Sequence, residues 1–378
     1  MTMTSLARSD KSWFAEWWRT TDHGIIIGAM SLLGIGMLLS LAASPDAAAV
    51  DGFDAMHYVQ RHALFCVAAV GIFFATSMLS EAWARRFSFV VFLGSIILLA
   101  YILFDGHTAG GAKRWVRIGG FSIQPSEFIK PVLVVIAAWL LAQRQKFPNV
   151  PWAIITFAFF APTVGFLLLQ PDVGQSVLLT AAFVIAFFVS GLPLLWAVFF
   201  LSASLVTAVS LFLAFDHVRQ RILAFVGLGD ADSTHQIRSA HEAIMNGGLL
   251  GVGPGEGYVK ESLPDPHTDF IYSVAGEELG FLACLGLILI YAFICIRGVL
   301  GASRRADPYI RAAGTGLFFL FGFQALINIG VNVGLLPTKG MTLPFVSYGG
   351  SSMIGTAITL GLGLALTRKR AEFHPGIS

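Results

Sequence analysis

The sequence predicts an all-α membrane protein that crosses the bilayer about ten times. Of its 378 residues, 56% are hydrophobic and only 12% are charged, and the mean hydropathy is +0.76. Soluble domains carry about 25% charged residues, so half that share, spread over many long apolar runs, excludes an ordinary soluble fold. The net charge of +2 comes from basic residues scattered among loops, so we expect no nucleic-acid partner.

The spans follow from length and turn signals, because a spanning helix needs about 20 mostly apolar residues. Joints such as Phe147-Pro148-Asn149 separate the apolar runs. The ten predicted spans are 24–44, 62–80, 87–104, 126–142, 152–169, 174–191, 193–214, 271–296, 310–335 and 350–367. They form one membrane domain, 23–367, between a tail at 1–22 and a basic tail at 368–378, with a large polar loop at 215–269.

Orientation follows from the preference of Lys and Arg for cytoplasmic loops. With a cytoplasmic N-terminus, fourteen of the 24 Lys and Arg residues fall in tails and loops on the inside. Ten spans return the C-terminus, with Arg368-Lys369-Arg370, to the same side. The loop 215–269 is therefore predicted to lie outside.

One short outer loop departs from this rule. Lys113, Arg114 and Arg117 place three cations around Trp115 on the outer side. Local structural pairing is one interpretation. The other is an anion site at the membrane surface, because Lys and Arg match phosphate oxygens well.

A carboxylate stands where the large loop enters the eighth span, in His267-Thr268-Asp269-Phe270. Thr268 or Asp269 could cap the first turn of that helix. Alternatively Asp269 is a general base at the boundary between water and membrane, where partial desolvation raises the basicity of a carboxylate. Glu277 and Glu278 follow, and at least one of them must face the bundle interior.

Other polar residues lie within or beside the spans. Lys130 needs a carboxylate or phosphate partner, and Glu127 or Glu278 is the ordinary candidate. Gln324, Asn328 and Asn332 recur every four residues and form one stripe on the ninth span. Such stripes usually join helices, and a substrate groove is the alternative. The three cysteines, Cys66, Cys284 and Cys295, lie in apolar runs without metal-ligand spacing.

Two outer segments have the composition of irregular backbone packed at the membrane surface. Residues 246–257 are rich in glycine but lack the ending of a nucleotide-binding loop. Residues 336–352 add Lys339 and several serines. Cations, carboxylates and these loops therefore converge on one surface, which suits an amphiphile with an anionic head group better than a simple ion pore.

Four blocks of the sequence resemble the SEDS family (shape, elongation, division and sporulation proteins). The blocks are Gly111-Ala112-Lys113-Arg114-Trp115 through Gln124-Pro125-Ser126-Glu127; Gln170-Pro171-Asp172-Val173-Gly174; Gly253-Pro254-Gly255-Glu256-Gly257 through His267-Thr268-Asp269-Phe270 and Glu277-Glu278-Leu279-Gly280; and Pro344-Phe345-Val346-Ser347-Tyr348-Gly349-Gly350-Ser351-Ser352. The segment 336–344 looks more like the cell-division branch than the elongation branch.

The resemblance implies a peptidoglycan glycosyltransferase that polymerises lipid II, an undecaprenyl-pyrophosphate disaccharide-pentapeptide, on the outer face of the bacterial inner membrane. It implies that Asp269 is the essential carboxylate, and that a class B penicillin-binding protein and divisome activators are partners. A divalent cation, Mg or Mn, is a candidate cofactor that would assist the departure of the pyrophosphate. A lipid II flippase, a scaffold without chemistry and an elongation-type polymerase are the alternatives. The expected substrate-binding residues are Lys113, Arg114, Trp115, Gln124, Ser126, Glu127, Lys130, Glu256, Lys260, His267, Thr268, Glu278, Ser347, Tyr348 and Ser351.

Overall fold

The structure is a computed structural model that describes residues 12–50, 52–109, 112–119, 121–192, 194–214, 219–220, 223, 231–338 and 340–369. The helices are α1 (Trp13–Thr20), α2 (His23–Val50), α3 (His57–Ser77), α4 (Glu81–Asp105), α5 (Pro125–Ala142), α6 (Trp152–Leu169), α7 (Val173–Val189), α8 (Leu194–Ala214), α9 (Ala231–Gly247), α10 (Ile271–Ser303), α11 (Pro308–Asn332) and α12 (Gly350–Thr367). Short 3-10 turns lie at Gln143–Gln145 and Val259–Ser262. Most of 215–230, Gly110, Gly111, Lys339 and the basic tail beyond Lys369 lie outside the described residues.

Every predicted span coincides with a helix of the described chain. Within the described part of the chain, eight helices are long and apolar enough to cross a membrane. Helix α7 is apolar but has only 17 residues, and α8 occupies the seventh predicted run. The predicted class, an all-helical multi-pass membrane protein, is confirmed.

A small antiparallel sheet in the loop after α4 was not predicted. It consists of β1 (His107–Ala109), β2 (Ala112–Ile118) and β3 (Phe121–Ile123), in the order β1-β2-β3. In β2 the exposed Lys113 and Arg117 share one face, and the half-buried Arg114 and the buried Val116 share the other. The residue types themselves do not alternate between polar and apolar, so the sequence did not indicate this strand.

Contacts between loops define two ends of the bundle. At one end the backbone N–H of Lys369 donates to the carbonyl of Thr20 at 3.0 Å, so the two tails meet. At the other end, here called the loop end, the Ser347 hydroxyl donates to the Thr268 carbonyl at 2.5 Å and the Gln124 N–H to Ser351 Oγ at 3.0 Å. Tails at one end and the long loops at the other are the alternation that an even number of spans requires.

The central helices are α5, α11 and α12, whose most apolar windows are 83%, 72% and 83% buried. The windows of α4 and α6, at 28% and 22%, leave most of their surface for lipid. The polar residues of the loop end are therefore attached to the most enclosed helices of the bundle, which fixes their positions.

Helix α10 is interrupted at Gly280, which has φ 80° and ψ 179°. The glycine-rich segment 248–253 fills the interruption with four backbone hydrogen bonds. Val252 and Gly253 donate to the carbonyls of Glu277 and Glu278 at 2.9 and 3.1 Å, and Phe281 and Leu282 donate to the carbonyls of 248 and 249 at 2.9 and 3.3 Å. Irregular backbone at membrane depth is thus lined by protein, as the bilayer demands.

The interruption changes the eighth span. Residues 281–303 alone form a helix of about 35 Å, which is enough to cross the hydrocarbon core. Residues 271–279 form a separate, mostly buried short helix at the loop end. The predicted span 271–296 therefore begins too early, because hydropathy does not register a glycine with positive φ.

Candidate active site at the loop end

The Asp269 backbone is held by the polar stripe of α11. Asn328 and Asn332 each donate a side-chain N–H to the Asp269 carbonyl at 3.0 Å. Ser273 donates its backbone N–H and its hydroxyl to Asn332 Oδ1 at 3.1 and 2.8 Å. The stripe therefore joins segments, and it does so at the residue singled out as a candidate base.

The loop 333–349 encloses the same segment from another direction. Ser347 donates to the Thr268 carbonyl at 2.5 Å, and the Tyr348 N–H donates to the His267 carbonyl at 2.9 Å. Asp269 Oδ2 lies 3.5 Å from the position that a Cβ on Gly340 would take. The half-buried carboxylate thus faces this loop, with its backbone fixed on both sides.

Neither Thr268 nor Asp269 stands at the N-cap of α10, which is Phe270 and makes no side-chain cap hydrogen bond. The Thr268 hydroxyl donates to the Asp265 carbonyl at 3.2 Å. The general-base role of Asp269 stays a prediction.

Lys130 lies in a buried cluster with Glu127. Its ammonium group is 2.9 Å from Glu127 Oε2 and 3.1 Å from Gln324 Oε1. Glu127 Oε1 accepts a hydrogen bond from Gln175 at 2.5 Å. Of the two partners considered for Lys130, Glu127 is confirmed and Glu278 is not. Because Lys130 is only 2% exposed, its charge is already balanced inside the bundle.

Arg114 turns inward from β2 and packs on the joint between α6 and α7. It donates to the carbonyls of Gln170 and Pro171 at 3.3 and 2.5 Å, and it lies 3.8 Å from Asp172. Asp172 also accepts a hydrogen bond from Gln124 Nε2 at 3.2 Å. Burial raises the pKa of the Asp172 carboxyl above its ordinary value, and the Arg114 guanidinium opposes that rise. Lys113 and Arg117 stay exposed, so local pairing explains only one of the three cations.

A third polar cluster surrounds the interruption in α10. Glu278 Oε1 is 2.6 Å from the ammonium group of Lys260, which also donates to the Ala42 carbonyl at 2.8 Å. Glu277 accepts the backbone N–H groups of Val259 and Lys260, each at 2.8 Å, and a side-chain N–H of Asn246 at 3.0 Å. Both glutamates face the interior and hold the loop, whereas Glu256 is exposed.

The α11 stripe connects the Lys130 cluster with the Asp269 segment. Gln324, which contacts Lys130, also donates to the Thr342 carbonyl at 3.2 Å, and Asn328, which contacts Asp269, donates to the Met341 carbonyl at 2.6 Å. His267, Thr268, Ser347 and Tyr348 thus gather at Asp269. Glu127 contacts Lys130, and Ser126 lies beside Glu127 in the first turn of α5. Gln124 and Ser351 bond to each other beside Asp172. Lys113 and Trp115 lie on the sheet, Lys260 and Glu278 belong to the third cluster, and Glu256 is exposed outside it.

Several residues of the site were absent from the predicted set. Asp172 and Gln175 lie in or beside the Gln-Pro-Asp-Val-Gly block, which could have identified them. Asn328 and Asn332 belong to the stripe that was interpreted mainly as a joint between helices. Arg61 is exposed near Tyr348, where its charge opposes the rise in the pKa of Tyr348 that burial causes. No pattern in the sequence indicated Arg61.

Comparison with known proteins gives consistent results. The profile of the FTSW_RODA_SPOVE family, cell cycle proteins, matches residues 23–372. The chain is 47% identical over 367 residues to a probable peptidoglycan glycosyltransferase FtsW of Caulobacter vibrioides, covering 97% of this chain and 94% of the relative. A protein of the same description from Pseudomonas fluorescens is 35% identical over 355 residues, covering 91% and 87%.

Two solved structures share the fold. One is a chain from a peptidoglycan synthase complex, studied for how it coordinates polymerization and crosslinking, with a TM-score of 0.76 and 27% identity over 92% of this chain and 97% of that one. The other is the rod shape determining protein RodA of Thermus thermophilus, with a TM-score of 0.68 and 26% identity over 94% and 99%.

Proposed function

The chain belongs to the SEDS family of FtsW, RodA and SpoVE cell cycle proteins, and from this premise we propose that it is a peptidoglycan glycosyltransferase of the FtsW type. Its substrate in this proposal is lipid II, which it polymerises into glycan strands for septal wall synthesis. The observation that carries the proposal is Asp269, whose backbone is held from two sides at the loop end and is linked through the α11 stripe to the Lys130–Glu127 pair.

The reaction uses Asp269 as the general base. Its carboxylate accepts the proton of the 4-hydroxyl group of the GlcNAc in the incoming lipid II. The freed oxygen forms a bond to C1 of the MurNAc that ends the growing strand. The bond from C1 to the pyrophosphate oxygen breaks with inversion, and undecaprenyl pyrophosphate leaves with the bonding electrons. The two asparagines and Ser347 contribute by holding the base in place.

Negative charge develops on the departing pyrophosphate and requires cations nearby. Lys113 is exposed on β2 and is free to meet a head group at the surface. Arg114 and Lys130 are already paired with Asp172 and Glu127, so their part is to orient the walls of the site and to add positive charge behind it. Among the described residues no three His, Cys, Asp or Glu side chains are grouped as metal ligands. A divalent cation, Mg or Mn, held by the pyrophosphate oxygens would add to the positive charge that lysine and arginine supply.

The flippase and scaffold alternatives fit less well. A flippase would distribute charged residues through the depth of the bilayer, but Asp269, Lys260 and Arg114 all lie at the loop end. A scaffold does not require an aspartate whose backbone carbonyl is held by two buried asparagines. The relatives that cover nearly the whole chain carry the FtsW description, which favours division over elongation.

An apolar groove of about 270 Å³ between α10 and α11 suits a partner helix in the membrane. Its lining includes Ile288, Cys295, Phe323 and Leu326. We assign it to the single span of a class B penicillin-binding protein, in keeping with the synthase complex that the fold resembles. Leu326→Trp should fill the groove and reduce co-purification with that partner, whereas Val90→Trp, on exposed surface of α4, should not.

Four glycines on α10 and α11, Gly286, Gly298, Gly314 and Gly316, would permit close contact with such a helix, but three of them serve another purpose. A Cβ on Gly298 would meet Phe318, one on Gly314 would meet Ala302 and Thr367, and one on Gly316 would meet Val134. These three glycines allow close packing inside the bundle. A Cβ on Gly286 would meet nothing, so this position alone of the four faces outward.

The proposal places the chain in the bacterial inner membrane, with the loop end on the periplasmic side. Both tails then lie in the cytoplasm, and divisome activators reach the loops from outside. Support comes from the distribution of Lys and Arg and from the meeting of Thr20 with Lys369 at the opposite end.

The test is polymerisation of labelled lipid II by the full chain purified with its transpeptidase. Asp269→Asn and Asp269→Ala should abolish polymer while retaining the thermal stability of the wild type. Asp265→Asn is the matched control, because Asp265 is an exposed aspartate in the same segment, and it should leave polymer unchanged. Polymer from Asp269→Ala would refute the assignment of the base, and no polymer from wild type would favour a flippase or a scaffold.

A further inference from the structure

A row of aromatic rings runs from the Asp269 segment to the first loop of the loop end. It consists of Tyr348, His267, Tyr58, His57 and Phe53, here called the aromatic row. Successive ring centroids lie 5.3, 4.6, 5.3 and 4.3 Å apart. The Tyr58–His267 and His57–Phe53 pairs are stacked, with interplanar angles of 25° and 8°.

The inner end of the row is part of the site itself. His267 precedes Asp269 by two residues, and its carbonyl accepts the N–H of Tyr348. The outer end is open to water, because Phe53 is 50% exposed and His57 and Tyr58 are half-buried. The row therefore runs from the buried His267, beside the candidate base, outward to solvent at Phe53, and burial accounts for its inner end only.

The composition of the row indicates the class of ligand. Four of its five members, the two tyrosines and the two histidines, carry polar edges, and the exposed Arg61 and Gln60 flank it. An acyl chain would be matched by aliphatic side chains, and a pyrophosphate by the cations around Lys113. Sugar rings present apolar C–H faces together with hydroxyl edges, which match aromatic faces bordered by polar groups.

We propose that the aromatic row binds the growing glycan strand as it leaves Asp269. This inference rests on the proposed function, because it assigns a subsite to that same reaction. Two residues at the start of α12 separate the ligands. Tyr348, in the loop before the helix, belongs to the row, whereas Ser351, in its first turn, contacts Gln124 and Ser122, and Ser122 pairs with Arg117 in the sheet that carries the cations. The strand and the pyrophosphate thereby leave the site along different walls.

The row makes a prediction about strand length. A strand that dissociates sooner is released shorter, because weaker binding acts mainly on the dissociation rate. Phe53→Leu combined with His57→Leu removes two aromatic faces and keeps apolar bulk. We expect the mean length of the glycan strands to fall about fivefold, and Phe53→Trp to restore or extend the wild-type length in the His57→Leu background.

The experiment uses the full chain with its transpeptidase and fluorescent lipid II, and it measures strand length by gel electrophoresis. Phe104→Leu is the matched control, because Phe104 is 84% exposed at the loop end of α4 but is outside the row. Shortened strands from the row variant and unchanged strands from the control support the proposal. Wild-type strand length in the row variant overturns the proposal while leaving the glycosyltransferase function intact, and an inactive wild type overturns both. An interfacial anchor for lipid would also predict unchanged length.

Discussion

Gly280→Ala should separate the loop 248–253 from helix α10. A methyl group at this position would lie closer than 3.0 Å to backbone atoms of Leu249, Leu250 and Gly251, none of which can turn away like a side chain. The backbone at φ 80° and ψ 179° is also a conformation that essentially only glycine adopts. The substitution therefore opposes both the local conformation and the docking of the loop.

The cost follows from what the interruption holds. Four backbone hydrogen bonds cross it, and each contributes about 1 kcal/mol net. Strain at a non-glycine residue in this conformation adds roughly 1–3 kcal/mol. We therefore expect a loss on the order of 5 kcal/mol in the free energy of unfolding and, for a chain of this size, a fall in Tm on the order of 10 °C.

Tryptophan fluorescence of the detergent-purified protein, heated at one fixed rate, measures the effect. Gly286→Ala is the control, because Gly286 lies further along the same helix and an added Cβ there meets nothing. It should leave Tm unchanged. Equal Tm values for the two variants would show that the loop does not bond to α10 at the interruption.

Three further outcomes follow from the polar clusters. Lys260→Met and Glu278→Gln should each lower the free energy of unfolding by about 3–5 kcal/mol, because removing one member of the pair leaves a buried charge. The double variant should lose less than the sum of the two single losses. Additive losses in thermal unfolding would contradict the pairing. Asn332→Ala should lower the kcat of polymerisation at least tenfold with a smaller change in KM, because the Asp269 carbonyl and Ser273 lose a partner; the exposed Asn149→Ala is its control, and equal kcat values would refute the positioning role. Burial between α6 and α7 raises the pKa of the Asp172 carboxyl, so the folded state is favoured while this carboxyl is protonated. That stabilisation is lost as the pH rises through the raised pKa. Asp172→Asn cannot ionise, so its Tm relative to wild type should increase from acidic to neutral pH, and a constant difference would exclude this effect.

Much of the fold could be predicted because the bilayer imposes a simple rule on length and hydropathy. The ten apolar runs became ten helices, and the meeting of the tails agrees with the predicted alternation. The sheet at 107–123 and the interruption at Gly280 were missed, since each depends on backbone geometry and long-range pairing that hydropathy does not contain.

The site could be predicted in part for a related reason. Charged residues near the membrane boundary are costly, so Lys130 and Glu278 were conspicuous in the sequence. Their partners were only partly evident: Glu127 lies three residues from Lys130 on one helix, but Lys260 reaches Glu278 across 18 positions. Which amide contacts which carbonyl, as with Asn332 and Asp269, is decided by tertiary packing.

Opposite faces of α11 have different neighbours. One face presents Gln324, Asn328 and Asn332 to the site, and the other presents Phe323 and Leu326 to the apolar groove. Because a helix moves as a rigid body, a movement imposed on one face also moves the side chains on the other. A protein docked sideways within the bilayer would therefore act on the positions of both Lys130 and Asp269 through this one helix, from the side opposite to its polar residues.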